Sequence, residues 1–124
     1  MPDDDRRAAG EATRREVLGD AHVDRAVERT TPFDAPFQDY ITESVWGSIW
    51  TRPGLDRRTR SRITIALLAA LGHHDELAMH VRAAVRLGVT EEQIAEVLVH
   101  TAAYAGVPAA NKAFKVAKDA FTEE

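Results

Sequence analysis

Apolar positions recur at helical spacing along most of the chain, and no stretch alternates as a strand would. Asp3 to Val17 and Asp20 to Arg29 read as two polar helical stretches, broken at Gly19. Thr31-Pro32-Phe33-Asp34-Ala35-Pro36 reads as a loop, because its two prolines forbid a continuous helix, and Asp34 is placed to cap the next helix. Phe37 to Trp50 is then expected as one helix carrying Tyr40, Ile41, Val45, Trp46, Ile49 and Trp50. It stops at the turn signal Arg52-Pro53-Gly54.

Asp56 is expected to cap a fourth helix, Arg57 to Leu71, closed by Gly72. Its second half, Ile63 to Leu71, is apolar nearly all round, and a helix without a polar face must be buried on every side. In a chain this small, that burial calls for a partner subunit. A fifth helix runs from about Asp75 to Leu87 and ends at Gly88. Thr90 and Gln93 form a capping box for a sixth, Glu91 to Ala105, whose Ile94, Val97, Leu98, Ala102 and Ala105 make one apolar stripe. Ala95, Val99 and Ala103 put small apolar residues on its opposite side, a second hint of a homo-oligomer. Gly106-Val107-Pro108 breaks the chain before a last helix reaching about Phe121. The expected fold is therefore all-α, with about six to seven helices in a single domain. Residues 1–30 form a polar extension and 37–121 the core.

A length of 124 residues suits one domain. With a net charge of −4 there is no concentrated basic face for nucleic acid. The longest strongly apolar run, Ile63 to Leu71, is too short to span a bilayer, and no apolar segment follows the acidic start, so a cytoplasmic location is expected. Cysteine is absent, which excludes thiol nucleophiles, thiol peroxidase chemistry and cysteine-bound zinc. Acid–base chemistry near neutral pH then falls to His22, His73, His74, His80 or His100.

His80 shares the apolar face of its helix with Leu77, Val81 and Ala84, at i, i+3, i+4 and i+7 spacing. Glu76 lies one turn earlier, where its carboxylate can reach the imidazole. Two readings fit: a core histidine held by a hydrogen bond, or a proton-transfer group. Arg52, Arg57, Arg58, Arg60 and Arg62 crowd eleven residues, and arginine binds carboxylates bidentately. They point several ways round the helix, so some are solvated or paired with Asp56 and Glu43 while at least one lines an anion site. Trp46 and Trp50, one turn apart, suit a core or an interface. His100 and Tyr104, also one turn apart, suit a subunit boundary. Adjacent His73 and His74 diverge by about 100° on a helix, and no further ligand completes a metal site. There is no phosphate-binding glycine loop, dinucleotide fingerprint or serine elbow.

Several stretches together resemble the 4-carboxymuconolactone decarboxylase family. They are Val45-Trp46-Gly47, Trp50-Thr51-Arg52-Pro53-Gly54-Leu55-Asp56 with Arg57 to Ser61, and Ala69-Ala70-Leu71-Gly72 with Glu76-Leu77 and His80-Val81-Arg82. Gly88-Val89-Thr90 and Tyr104 to Asn111 complete the set, which covers about Phe37 to Ala117. The resemblance implies the alkylhydroperoxidase D-like helical fold, assembled as a homohexamer. It also implies cofactor-free decarboxylation of 4-carboxymuconolactone to 3-oxoadipate enol-lactone, in the β-ketoadipate route of aromatic catabolism. The Cys-x-x-Cys and following histidine of the superfamily's thiol branch fall here at His73, Glu76 and His80. That branch's acidic residue in the preceding helix falls at Ser61, which removes any relay through it.

On this resemblance His80 is the general acid and Glu76 orients it. Arg52 or Arg60 holds a substrate carboxylate or polarises the lactone oxygen, with Trp46 as an apolar wall and His73 as a further substrate contact. The partner is a small anionic lactone, and no metal or cofactor is called for. Two other readings remain: an enzyme of the same fold acting on another small anionic lactone or acid, and a non-catalytic helical oligomer or anion-binding module.

Overall fold

Seven α-helices and one π-helical segment make up residues 3–122, which the computed structural model describes, and no strand occurs among the described residues. The helices are α1 (Asp3–Leu18), α2 (Asp20–Arg29), α3 (Ala35–Tyr40), α4 (Arg57–Leu71), α5 (His74–Arg86), α6 (Glu91–Ala105) and α7 (Val107–Thr122). The π-helical segment, Ile41–Trp46, continues directly from α3. By contacts the chain divides into two compact units that meet in sequence at Leu55 and Asp56. No helix among the described residues is long and apolar enough to cross a membrane.

In the first unit α1 packs along the π segment and against α2, and α3 also packs on the π segment. Glycine makes the α1 crossing close. A Cβ on Gly10 would collide with the Thr42 carbonyl oxygen, and one on Gly47 would collide with the Arg6 carbonyl and lie 2.6 Å from that of Glu43. The same segment corrects the expected single helix over Phe37 to Trp50. Gly47 and Trp50 bond back five residues, to the carbonyls of Thr42 (2.9 Å) and Val45 (3.1 Å), and residues 47–51 form turns. The hydroxyls of Thr42, Ser48 and Thr51 bond to the carbonyls of Gln38, Glu43 and Gly47, and such back-bonding together with a glycine loosens the α pitch. Asp34 does sit at the N-cap of α3. Its carboxylate, however, turns back to accept from the Thr31 amide at 2.8 Å and makes no bond to the helix.

The second unit follows the sequence pattern closely. Asp56 accepts from the Thr59 amide at 2.7 Å to start α4, and Gly72 closes that helix in the left-handed conformation at φ 75°. Thr90 and Gln93 form the reciprocal capping box of α6, both bonds at 3.1 Å. The core draws Ile65 and Ala69 from α4, Leu77, Val81 and Ala84 from α5, Ile94 and Leu98 from α6, and Ala113, Ala117 and Ala120 from α7. Those alanines let α7 lie close against α4, α5 and α6. Truncating a buried Leu or Ile in such a core costs about 2–5 kcal/mol.

One chain does not bury α4 on every side. Ile63, Leu67 and Leu71 remain 44%, 56% and 67% exposed on the face opposite Ile65 and Ala69, and Val99 and Tyr104 of α6 are exposed as well.

Candidate active site

His80 occupies the second turn of α5, where the inward stripe of Leu77, Val81 and Ala84 carries it into the interior at 8% exposure. Its Nδ1 is buried and makes no hydrogen bond, while the residue has other interactions. His73, Glu76 and His80 share one face of α5, because steps of three and four residues return close to the same direction. Their depths differ. His73, at the N-cap, and Glu76, in the first turn, are exposed, and only His80 is buried.

No hydrogen bond or ion pair joins Glu76 to His80 in this structure. Glu76 stands where α5 begins, so its flexible side chain is drawn to water while the imidazole is turned inward. The orienting contact between them is not formed in this structure.

The arginines separate into different roles. Arg58 donates from Nε to the Leu87 carbonyl at 2.8 Å, so it satisfies the C-terminal end of α5 and is removed from the anion-binding candidates. Arg62 donates to the Thr59 hydroxyl at 3.2 Å. Arg60 is half-buried on α4, and Arg52 is exposed in the turn that ends the first unit; both have other interactions. Glu43, expected to pair within this run, is held instead by Arg7 at 2.6 Å. Trp46 and Trp50 are buried and stacked, with ring centroids 4.9 Å apart and planes inclined by 29°.

Ser61 is fully buried on the inner stripe of α4 with Ile65 and Ala69, and its hydroxyl makes no hydrogen bond. A groove of about 570 Å³ between α4 and α6 is floored by Ile63, Ala66 and Val97 and edged by Arg62, Glu96 and His100. It touches none of His73, Glu76 or His80. His100 stacks at a tilt on Tyr104, centroids 5.2 Å apart, and both are exposed. A group that sequence reasoning missed is Arg14, buried in the first unit. Nothing in the string Thr13-Arg14-Arg15-Glu16 separates it from its ion-paired neighbour.

The chain matches the carboxymuconolactone decarboxylase family over residues 35–119. That span holds Trp46, Arg52, Arg60, His73, Glu76 and His80 and leaves α1 and α2 outside. A 4-carboxymuconolactone decarboxylase of Acinetobacter baylyi is 46% identical over 123 residues, 99% of this chain and 92% of the relative. A nitrosuccinic acid decarboxylase of Metarhizium robertsii is 43% identical over 107 residues, 86% of this chain and 75% of the relative. A 4-carboxymuconolactone decarboxylase of Pseudomonas putida is 47% identical over 47 residues, 38% of this chain and 98% of the relative.

Proposed function

The chain belongs to the carboxymuconolactone decarboxylase family, and from that premise we propose that it is a carboxy-lyase converting 4-carboxymuconolactone to 3-oxoadipate enol-lactone in aromatic catabolism. The observation that carries this reading is likeness along 99% of the chain to a relative of that name. The chemistry asks little of the protein beyond placement and one proton. As the bond to the carboxylate breaks, carbon dioxide leaves and the electron pair spreads through the ring double bond onto the lactone carbonyl. The lactone is its own electron sink, so no cofactor enters. A proton delivered to the carbon next to that carbonyl completes the product.

His80 is the proposed donor of that proton. Its imidazole is held off from bulk water, and imidazole is the side-chain type that most often transfers protons in catalysis. Glu76, after rotation, would orient it, and His73 on the same face would meet the substrate's polar edge. Arg60 is proposed to steady the charge that develops on the lactone oxygen. The roles proposed for Arg52, as a carboxylate clamp, and for Trp46, as an apolar wall, rest on the family resemblance. A homo-oligomer, of six subunits by the same resemblance, and a cytoplasmic location belong to this proposal.

Ultraviolet-monitored turnover of freshly generated 4-carboxymuconolactone tests it, comparing wild type with His80→Gln. Loss of His80 should lower kcat by about 10²–10⁴-fold while assembly is kept. Undiminished turnover in the mutant would remove His80 as the acid. No turnover by the wild type would overturn the substrate. In that event a second small acid becomes the reading, favoured by the 43% likeness to a nitrosuccinic acid decarboxylase.

A further inference from the structure

The first unit carries an open-mouthed cavity of about 440 Å³ that no part of the proposed reaction uses. Helices α1, α2 and α3 and the start of the π segment frame it, and α1 and α2 lie outside the family match. Its volume lies in the range of small-molecule sites. Val23 and Val27 supply an apolar wall, and Arg14 projects a guanidinium onto it.

Arg14 is 9% exposed, and its Nε is buried without a hydrogen bond. Its hydrogen bond to a described residue goes from Nη1 to the neutral amide oxygen of Gln38, at 3.3 Å. The acids around it are already committed. Glu11 lies 3.3 Å from Arg15, and Asp39 faces Arg7, which also binds Glu43. A buried guanidinium remains charged, and a buried charge without a counter-ion is among the costliest features a fold can carry. Burial and the adjacent Arg15 charge both push the Arg14 pKa down, and no acid opposes them.

We propose that this cavity is a binding site for a small carboxylate, whose head group lies between Arg14 and Gln38 and whose apolar body lies against Val23 and Val27. The part of the Arg14 guanidinium that lines the cavity and the Gln38 amide N–H₂ are the donors offered to the two carboxylate oxygens. Shape and polarity select against phosphate: Arg7, the other guanidinium on the cavity, is engaged by Asp39 and Glu43, and the valine wall suits a hydrocarbon body that phosphate lacks. Two sources share this chemistry: the carboxylated lactones of the reaction itself, and a separate metabolic acid acting as an effector.

The test is calorimetric titration of the full-length protein with hexanoate, and separately with inorganic phosphate, using wild type, Arg14→Met and Gln38→Glu. The second variant places an internal carboxylate at the position proposed for the ligand, so it should fold even where removal of the arginine does not. Saturable hexanoate binding to wild type is expected, at least tenfold weaker in each variant, with phosphate failing to compete. Without ligand, both variants should melt at or above the wild-type temperature, since each relieves an uncompensated buried charge. No saturable binding to wild type, or binding in both variants as tight as in wild type, would overturn the site. So would a fall in melting temperature in both, which would make Arg14 a structural brace. A raised KM for the lactone in Gln38→Glu at unchanged kcat would identify the substrate as the occupant. Unchanged KM with hexanoate binding lost would identify a separate acid.

Discussion

Arg15 reaches the carboxylates of Glu11, Asp20 and Asp24 at 3.3, 3.2 and 2.9 Å, and the hydrogen bonds it donates to Asp24 and then Asp20 hold its pKa above the usual arginine range. Arg14, its chain neighbour, meets no acid at all in the described ion pairs. The same residue type is thus a half-exposed hub of ion pairs at one position and a buried cation at the next, because they differ by about 100° on α1. Asp56 gives the residue scale its pH dependence. The Thr59 amide, then the Thr59 hydroxyl, then Arg62 and Arg58 hold its carboxyl below the ordinary range. A depressed carboxyl stabilises the fold above its unfolded pKa, about 3.9, and loses that effect as pH falls through the lower folded value. Wild type should therefore melt above Asp56→Asn at pH 7, and the gap should close below about pH 4. Thermal melts at both pH values check this. A gap independent of pH would mean that the carboxylate charge does not contribute.

At the scale of elements, α4, α5, α6 and α7 lie within a residue or two of their expected bounds, because caps, glycines and the apolar period agree there. The stretch after α3 departs, and a non-local contact adds to the local back-bonding there. Its apolar spacing from Tyr40 to Trp50 is compatible with one helix, but α1 crosses over Gly47, and the backbone widens into a π segment. Gly47→Ala should therefore cost about 1–3 kcal/mol through overpacking against the Arg6 and Glu43 carbonyls. Urea unfolding followed by the fluorescence of the stacked Trp46 and Trp50 measures it. An unchanged midpoint would show that the crossing is not tight.

At the scale of the whole molecule, an apolar face without a covering layer is the dominant feature. Ile63, Leu67 and Leu71 repeat at i, i+4 and i+8 along α4, and exposed Val99 and Tyr104 continue the apolar surface on α6. Packing against a second copy is the role that the proposed homo-oligomer gives this face. Leu67→Asp should then shift the wild-type oligomer to a smaller species in sedimentation velocity at micromolar concentration, with the helical circular dichroism kept. A wild type already monomeric at that concentration would overturn the proposed assembly.

Local chemistry was legible in the residues: the all-helical class, the cap at Asp56, the capping box at Thr90, the stop at Gly72 and the inward direction of His80 all come from short-range rules. Family likeness carried the reaction class, because the matching stretches run through the segment that holds His80. Long-range contact settled the rest. The reach of Arg58 to Leu87, the preference of Glu43 for Arg7 and the burial of Arg14 each depend on which surface faces which. A one-dimensional pattern records that a side chain is charged or apolar and on which side of its helix it lies. It does not record what stands opposite, and the opposing surface decides whether an arginine is solvated, a cap, or a buried cation that an anion would complete.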